Sequence, residues 1–580
     1  MNLHLQKGSR SRILAAAIFI IVAIFVGRLF YLQVIQHDYY VGLAEEEQVT
    51  RLKIPASRGL IYAKNGDEPV QLAMNETVYT VFADPQTITD KEKVVEVLRN
   101  VAGGNVRTGF DTFLDRKESR YQILATKLSR VQADKIKEEG LSGVGFQAVS
   151  QRIYPEGSLA AQVLGFVNTE GVGNYGIEGY MDDQLKGVDG KLESVTDVSK
   201  VPLTIGNRNV NIPAKNGANV VLSLDRNIQS HVEQALKAGL ERTGATEGSV
   251  LVMDPRNGKV MAMANSPTYS PAEYYKVEDA AAFNNGAIST PYEPGSSIKT
   301  YTLATGIDKG VVRASDTYNN TDSIKIGDNY VVGNATLGQT GIISFQHALT
   351  WSLNTGFVTI AQRLGDGKSV TRESRDTMYE YFHDRLRLGE KTGIELANEA
   401  KGSVFSPDEV QGNSVRYATM SFGQGLDTTL IQVASGFSAL INGGDYYKPT
   451  IIDGYMTDEG FEQVKTPEPI ERGVVAKSTS DQILHATQQA RASSFGQFDK
   501  PGYYIGGKTG TSQVSDAGGY SDTETIASYL GYGGGDQTEY VIMVRVSGKD
   551  KILQGARDAL PIFTDISNWM LDYLKIQPKG

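Results

Sequence analysis

The chain of 580 residues contains no cysteine, so it cannot form a disulfide, use a thiolate nucleophile or bind a metal through thiolates. Its few histidines are scattered without the spacing of metal ligands: they are His4, His37, His231, His347, His383 and His485. The formal net charge is −10, and no basic stripe interleaved with aromatic residues occurs. These absences predict no bound metal and argue against a nucleic-acid partner.

The longest apolar stretch lies near the amino terminus. Fourteen apolar residues, 13–26, are uninterrupted, and the pattern resumes after Gly27 and Arg28 and continues to Ile35. As one helix, residues 13–35 would be roughly 34 Å long, which is enough to cross a bilayer. A run of this length could also be the core of a signal peptide, but no small-x-small cleavage site follows it. We therefore predict one uncleaved transmembrane helix at 13–35.

The charges on either side of this stretch predict its orientation. Lys7, Arg10 and Arg12 precede it, and three consecutive glutamates, 45–47, follow it. Positive residues are retained on the cytoplasmic side of a membrane. Residues 1–12 should therefore form a cytoplasmic head, and the chain beyond the span should lie outside the cytoplasmic membrane.

The rest of the chain, with 40% hydrophobic residues overall, is long enough for more than one domain. A mixed, extended region runs from 36 to 215. Within it, residues 58–66 alternate toward an Asn-Gly turn, which predicts a β-hairpin, whereas 90–101 and 128–139 have helical periodicity. Residues 171–176 formally match a dinucleotide fingerprint, but they lie in a Gly/Asn/Glu loop without a βαβ unit and predict only a turn.

A second region, 216–575, has the pattern of an α+β domain, and residues 576–580 form a tail. Asp225 should cap a helix whose apolar residues recur at i, i+4. The Ser-, Thr-, Gly- and Asp-rich residues 316–341 predict a loop-rich insertion. Strands at both ends and helices between them predict an antiparallel sheet flanked by helices. The predicted strands are 219–224, 248–254, 258–263, 503–507, 526–531 and 540–546, and the last helix is 560–574.

Three short motifs carry the candidate chemistry. In chain order they are Ser296–Lys299 (Ser-Ser-Ile-Lys), Ser352–Asn354 (Ser-Leu-Asn) and Lys508–Thr511 (Lys-Thr-Gly-Thr). Each alone is common, but the ordered set matches the serine acyl-transferases that react with penicillin. A serine hydroxyl is a weak nucleophile until a nearby base takes its proton. Because helical residues three apart share a face, Lys299 can place its amine beside the Ser296 hydroxyl.

A lysine can act as that base only when burial or a second cation lowers its pKa. Lys508 could supply the cation, and Ser352 with Asn354 could link the two amines through hydrogen bonds. The site would then hold a nucleophile, its base and a proton network from three distant segments of the chain.

The surroundings of the motifs favour this interpretation. Pro294-Gly295 predicts a turn that leads into a helix with Ser296 near its start, where amide groups and the helix dipole would lie beside the reacting oxygen. Residues 503–507 predict a strand that enters the third motif, and Gly510 would let a substrate backbone approach closely. The alternative is an ordinary N-cap serine and a surface turn at Lys508.

With these motifs, the chain resembles a class B penicillin-binding protein, a monofunctional D,D-transpeptidase that cross-links bacterial peptidoglycan. The resemblance covers nearly the whole chain and is closer to the septal, cell-division branch than to the elongation branch. The family's usual hairpin has Asp-Arg where Ala63-Lys64 stand here, a departure that affects a local contact rather than catalysis. Further family-like segments are 58–61 (Arg-Gly-Leu-Ile), 152–155 (Arg-Ile-Tyr-Pro), 160–167 (Ala-Ala-Gln-Val-Leu-Gly-Phe-Val), 176–179 (Gly-Ile-Glu-Gly) and 422–425 (Phe-Gly-Gln-Gly).

The resemblance implies an architecture and roles for the site residues. It implies a penicillin-binding transpeptidase domain at 216–575 on a dimerisation-type pedestal at 36–215. Ser296 would attack the penultimate D-Ala carbonyl of a stem peptide, and Lys299 would accept its proton. The other implied residues are Ser352, Asn354 and Lys508 for the proton network, the backbone N–H groups of Ser296 and Thr511 for the oxyanion hole, and Thr509, Gly510 and Thr511 for substrate binding.

The resemblance also implies the partners. The enzyme would need no cofactor, because cleavage of the donor peptide supplies the activated acyl group. No segment resembles a glycosyltransferase domain, so the glycan strands would come from a membrane-embedded glycosyltransferase acting with cell-division proteins. Stem peptides and β-lactams would bind the active site, and the protein would be a single-pass protein of the bacterial cell membrane.

Several alternatives share these motifs. A serine β-lactamase or penicillin-sensing receptor would have them, but a lactamase needs a deacylating base, and no obvious Glu-x-x-x-Asn element lies between Ser352 and Lys508. A D,D-carboxypeptidase stays open, because no motif reads the acceptor amine. A non-catalytic division scaffold is the third alternative, and the complete set of motif residues argues against it.

Overall fold

The computed structural model describes residues 9–40, 49–66, 68–195, 210–327, 330–516 and 519–579. Strands and α-helices are numbered here in chain order. The strands are β1 Val49–Ile54, β2 Ile61–Asn65, β3 Glu68–Ala83, β4 Gln122–Leu128, β5 Val144–Ile153, β6 Phe166–Val167, β7 Gly173–Asn174, β8 Gly190–Val195, β9 Val210–Ile212, β10 Asn219–Asp225, β11 Glu247–Met253, β12 Val260–Ser266, β13 Thr317–Asn320, β14 Ser323–Ile326, β15 Tyr330–Gly333, β16 Gly341–Ser344, β17 Asp445–Tyr446, β18 Ile452–Thr457, β19 Gly460–Gln463, β20 Glu471–Arg472, β21 Tyr504–Asp516, β22 Gly519–Gly534 and β23 Thr538–Ser547. The α-helices are α1 Ser9–Phe30, α2 Lys91–Ala102, α3 Phe110–Phe113, α4 Arg130–Glu138, α5 Ala161–Leu164, α6 Gly176–Tyr180, α7 Asp182–Leu185, α8 Arg226–Thr243, α9 Gly286–Ser289, α10 Lys299–Asp308, α11 Phe345–Thr350, α12 Asn354–Arg363, α13 Arg372–Tyr379, α14 Ser414–Met420, α15 Leu430–Ile441, α16 Lys477–Phe495 and α17 Leu560–Tyr573.

The predicted span is helical. Helix α1 continues into a π-helical turn at Tyr31–Ile35, and residues 10–35 have a mean hydropathy of 2.7 over their most apolar part. By length and composition this helix can cross a membrane. The structure therefore confirms an apolar helix suited to a membrane anchor.

The chain divides into two compact units. The first comprises residues 1–57 and 187–217, and its described part contains an antiparallel sheet in the order β1-β8-β9, with Leu52 opposite Leu192. The second comprises residues 58–186 and 218–580. The predicted boundary at 215/216 stays a prediction, since the second unit draws residues from both sides of it.

The second unit begins with a mixed sheet in the order β19-β18-β10-β2-β3-β4, with β5 also paired to β3. The predicted hairpin is present as β2 and β3, and Gly66 takes a positive φ of 64° at its turn. Helix α2 is capped by the Asp90 carboxylate, and α4 begins with a capping box between Ser129 and Gln132. Both predicted helices of this region are thus confirmed to within two residues.

A buried charge cluster joins three family-like segments of this unit. Glu178 is fully buried, and its carboxylate accepts from Arg58 Nε at 2.7 Å and from Arg152 Nε at 2.7 Å. Asp182 accepts a further bond from Arg58 Nη1 at 2.7 Å. Two cations thus surround one carboxylate that water does not reach, so loss of that carboxylate would leave Arg152 without a carboxylate partner and Arg58 with Asp182 only.

The last part of the second unit is built on the antiparallel sheet β12-β11-β23-β22-β21. Successive residues of β11 point into different cores: Val250 and Val252 pack with α8 and α17, whereas Leu251 and Met253 face the larger helical core. Helices thus cover both faces, which confirms the predicted α+β class and explains why these strands read as continuous apolar runs.

Two expectations about this region need correction. Strands β21 and β22 have 13 and 16 residues, so the Lys508–Thr511 motif lies inside a strand rather than after one. Glycine and polar residues concealed that length, because they carry little strand propensity. Residues 316–341 are not mainly loop: β13 pairs with β16, and β14 pairs with β15, as two short ribbons.

Candidate active site

The segment that carries Ser296 is held by close backbone contacts. A 3₁₀ turn, Gly295–Ile298, leads directly into α10, as the sequence predicted. Gly295 has a φ of 58°, and a Cβ there would lie 2.7 Å from the Thr511 carbonyl oxygen. Its N–H donates to the Gly423 carbonyl oxygen at 3.0 Å, so Ser296 is fixed between β21 and the loop at Gly423. The Ser296 side chain is partly exposed and makes no hydrogen bond within the described part of the chain.

Lys299, three residues after Ser296, is completely buried. Its Nζ lies 2.6 Å from the Ser352 carbonyl oxygen, 3.1 Å from the Ser352 Oγ and 2.7 Å from the Asn354 Oδ1. Ser352 takes a φ of 58°, a strained conformation for a serine, which presents its carbonyl and hydroxyl to the same amine. The first two motifs therefore meet at the Lys299 amine.

Lys508 reaches the same hydroxyl from the sheet. Its Nζ lies 3.0 Å from Ser352 Oγ, 3.0 Å from Thr509 Oγ1 and 3.1 Å from the Thr509 carbonyl oxygen. Ser352 Oγ is thus a bridge between two lysine amines. The structure thus brings together Lys299, Ser352, Asn354, Lys508 and Thr509. Ser296 lies three residues before Lys299, in the 3₁₀ turn that leads into α10.

Burial changes the proton affinity of both amines. Burial, followed by the nearby charge of Lys508, lowers the pKa of Lys299 well below its ordinary value. Burial also lowers the pKa of Lys508, to about 7. Lys299 therefore holds a proton less tightly than an ordinary lysine, and in its neutral form it can accept a proton from a neighbouring hydroxyl.

Asn354 connects the site to the ribbon that sequence reasoning took for a loop. Its Nδ2 donates to the Gly333 carbonyl oxygen at 2.9 Å, and the next residue, Thr355, hydrogen-bonds to Asn320 and Asn334. These two asparagines are buried and were missed, because nothing in their local sequence indicates which helix they contact.

The third motif has a different geometry from the one expected. A Cβ on Gly510 would lie 2.2 Å from Ser528 Oγ and 2.8 Å from the Pro294 carbonyl oxygen. This glycine therefore makes room for neighbouring protein rather than for a substrate, which corrects the reason given for it. Thr511 is exposed, and its Oγ1 accepts from the Gly555 N–H at 3.0 Å, which leaves its own hydroxyl proton free to donate to a ligand.

Glu293 is a residue that sequence reasoning missed. Its Oε1 accepts from the Gly425 N–H at 2.7 Å and from the Tyr520 hydroxyl at 2.9 Å. It thus ties the segment before Ser296 to the Gly423 loop and to β22. The only feature of the sequence that could have pointed to Glu293 is its position three residues before Ser296.

The region between the second and third motifs also needs a correction. Glu409 and Asn413 do have the Glu-x-x-x-Asn spacing, contrary to the sequence interpretation. Glu409 accepts from the Ser406 N–H, and Asn413 caps α14. Both side chains therefore serve local turns, and neither hydrogen-bonds to the lysines of the site. Across the described residues, no group of three or more His, Asp or Glu side chains is placed to hold a metal.

Two known protein families match the chain. Residues 248–568 match the family described as penicillin binding protein transpeptidase domain, and residues 53–222 match the penicillin-binding protein dimerisation domain. The chain is 30% identical to stage V sporulation protein D of Bacillus subtilis, over 98% of this chain and 87% of that protein. It is 26% identical to the probable peptidoglycan D,D-transpeptidase PenA of Neisseria meningitidis serogroup A, over 99% of this chain and 94% of that protein.

A solved structure supports the fold. The chain superposes on penicillin-binding protein 2X from Streptococcus thermophilus with a TM-score of 0.72 and 22% identity, over 91% of this chain and 80% of that chain. At this identity the likeness concerns the fold alone. The superposition covers 91% of this chain, which is far more than the sheet that carries the motifs.

Proposed function

Since the chain belongs to the penicillin-binding protein transpeptidase family, we propose that it is a class B, serine-type D,D-transpeptidase that cross-links peptidoglycan stem peptides in septal wall synthesis. The observation that carries this proposal is the Ser352 hydroxyl, which lies 3.1 Å from the Lys299 amine and 3.0 Å from the Lys508 amine. A nucleophile, a base with lowered pKa and a proton bridge are the groups that acyl transfer needs.

The acylation step follows from these contacts. Ser296 Oγ attacks the carbonyl carbon of the penultimate D-Ala while its proton passes to the neutral Lys299 amine. The tetrahedral intermediate then collapses, the peptide C–N bond breaks, and the leaving D-Ala amine takes a proton through Ser352 and Lys508. The backbone N–H groups of Ser296 and Thr511 would stabilise the oxyanion, and losing one such donor typically costs about 3 kcal/mol.

Deacylation completes the cross-link. The amine of a second stem peptide attacks the ester, gives up its proton to the same network and releases Ser296 with a new amide bond formed. A β-lactam would enter by the same acylation, with its carboxylate toward Thr509 and Thr511, and would block the enzyme because water is poorly activated beside the ester. The active site uses no cofactor.

The topology and partners belong to the same proposal. The apolar helix at 10–35, with basic residues before it, would anchor the chain with its amino terminus in the cytoplasm. The catalytic part would then lie outside the membrane, where glycan strands are made by a separate membrane-embedded glycosyltransferase and where cell-division proteins assemble.

Mass spectrometry after penicillin treatment tests the acyl-enzyme. One adduct should map to the peptide that contains Ser296, and S296A should carry none. K299A should lose labelling by several orders of magnitude, because nucleophile and base act as a unit. An adduct that persists in S296A would disprove the assignment of the nucleophile.

The fate of the adduct separates the alternatives. The adduct should persist for minutes to hours, whereas rapid turnover of a chromogenic cephalosporin would indicate a β-lactamase. Incubation with a donor pentapeptide and a second stem peptide should give a cross-linked dimer. Release of D-Ala without any dimer would favour a D,D-carboxypeptidase, and neither product would favour a scaffold.

A further inference from the structure

A cavity of about 350 Å³ lies beside the segment that leads to Ser296. Arg545, on β23, lines it and is 6% exposed. No hydrogen bond or ion pair joins its side chain to another residue in the described part of the chain, and its Nε is buried without a partner. The guanidinium carbon lies 5.4 Å from the centre of the Tyr292 ring.

This situation is unusual for a buried arginine, as a second one in the same sheet region shows. Arg491 is 1% exposed, but its guanidinium donates to Asp499 at 2.9 Å, to the Tyr529 hydroxyl at 2.7 Å and to Thr564 at 2.9 Å. A buried cation without such partners is costly. Arg545 therefore needs a counter-ion that the described residues do not provide at ion-pair distance.

A second unpaired group points in the same direction. The Tyr292 hydroxyl is buried, and among the described residues no group meets it at hydrogen-bonding geometry. The charge of Arg545, and then the nearby Ser528 hydroxyl, offset part of the effect of burial on its pKa. Burial raises the pKa of Tyr292, so the group is a neutral phenol that can donate. Arg545 and Tyr292 both line the cavity, and their donor groups suit a carboxylate.

The rest of the cavity has the opposite charge. Four carboxylates line it against two cations; they are Glu247, Glu293, Asp427 and Glu524, with Arg545 and Lys549. Glu293 Oε2 is buried without a partner, and Glu247 influences Arg545 electrostatically without an ion pair. A simple anion would be repelled by this wall, and a simple cation would be repelled by Arg545.

We propose that this cavity binds a small zwitterion, a free amino acid. Its carboxylate lies on Arg545 and Tyr292, and its ammonium group lies on Glu293 and Glu247. The occupant would touch Tyr292 and Glu293, which directly precede Pro294-Gly295-Ser296. D-alanine is the natural probe, a choice that rests on the proposed function, because transpeptidation would release it.

The test uses the full chain in detergent micelles. It carries Ser296→Ala so that the proposed nucleophile cannot be acylated during the measurement. Saturable binding of D-alanine, measured by saturation-transfer NMR or calorimetry, is the expected result. Propionate, which lacks the amine, and ethylamine, which lacks the carboxylate, should each bind at least about tenfold more weakly.

Arg545→Met is the informative variant, because it keeps the volume and removes the charge. It should weaken D-alanine binding by at least about tenfold. The matched control is Arg256→Met, which removes an arginine that pairs with Asp254 and Glu539 away from this cavity and should leave binding within about twofold. If Arg545→Met does not fold, Glu247→Gln should weaken D-alanine binding and strengthen propionate binding, because it removes one of the carboxylates that repel an anion.

Three results would overturn the proposal. The first is no saturable binding of D-alanine, which would mean that only water fills the cavity. The second is D-alanine binding that Arg545→Met leaves intact. The third is loss of D-alanine binding when Ser296 of the unsubstituted chain is acylated by penicillin, which would place the ligand in the active site. Failure of penicillin labelling itself would instead count against the proposed function.

Discussion

Burial lowers the proton affinity of both lysines of the site, and a second effect acts on only one of them. Both are buried, with exposures of 0% for Lys299 and 4% for Lys508. Burial lowers both pKa values, but only Lys299 is further lowered by the charge of its neighbour. One amine can therefore be a free base while the other still carries a proton, which is the division of roles that acylation requires.

This difference predicts a bell-shaped pH dependence for acylation by penicillin. The rate should rise with pH as Lys299 loses its proton, because only the neutral amine can accept the serine proton. It should fall above about 7, where Lys508 loses the charge that assists Lys299. Stopped-flow measurement of the acylation rate across pH checks this, and the two apparent pKa values belong to the coupled pair.

The variant K508R separates the two limbs of the profile. Arginine stays charged throughout this range, so the fall at higher pH should disappear while the rise at lower pH remains. A profile of K508R that still falls above about 7 would show that another group limits the rate.

Much of the residue chemistry could be predicted from the sequence, since a serine nucleophile requires a base and that base requires a partner. The contacts of Lys299, Ser352 and Lys508 have the arrangement that the motifs imply, although their catalytic roles stay predictions. The contact of Glu293 with Gly425 could not be predicted, because the two residues lie 132 positions apart in the sequence. It depends on how the turn before Ser296 packs against the loop at Gly423.

Between elements, the contact of two turns decides where Ser296 lies. Gly423 has a φ of 94°, and a Cβ there would lie 1.8 Å from the Gly295 carbonyl oxygen. Gly423→Ala should therefore displace the nucleophile turn and lower the penicillin acylation rate by at least about 100-fold, since a shift of about 1 Å has that effect.

Gly443→Ala is the matched control for backbone strain. Gly443 also has a positive φ, 102°, but nothing lies within 4 Å of a Cβ there. The control should cost roughly 1–2 kcal/mol of stability and keep the acylation rate. Equal loss of activity in both variants would show that strain alone, and not the contact with Gly295, explains the effect of Gly423→Ala.

The elements were predictable where periodicity was strong and not where packing decides. Helix α2 and the end helix α17 follow their apolar patterns to within two residues. Strand β22 extends over 16 residues although the sequence indicated only six of them, because hydrogen bonds from β21 and β23 hold its glycines in place. The ribbons after Asp316 were missed because each of their strands has only four residues.

At the scale of the whole molecule, replacing Glu178 tests how much the buried charge cluster contributes to the stability of the chain. Glu178→Ala would leave Arg152 buried without a carboxylate and would leave Arg58 with Asp182 as its remaining partner. Urea unfolding should show a loss of about 3–5 kcal/mol. Asp183→Ala, which removes an exposed partner of Lys186, should leave the unfolding midpoint unchanged, and a similar loss in both variants would contradict the role of burial.

The last prediction separates penicillin binding from function in the cell. An exported chain that begins at Arg58 keeps all of the second compact unit, including strand β2, which pairs with β10 beside the catalytic region. It should still be acylated by penicillin, because every contact of Lys299 and Lys508 described above lies within that unit. It should fail to support division, since a transpeptidase without its own glycosyltransferase must stay close to the membrane where glycan strands are made.

Replacing residues 1–57 with an unrelated single-span anchor of the same orientation distinguishes two possible reasons for that failure. Rescue of division would mean that tethering alone is required. Failure to rescue would mean that this segment contacts a membrane partner. Full complementation by the untethered chain would disprove the need for the anchor.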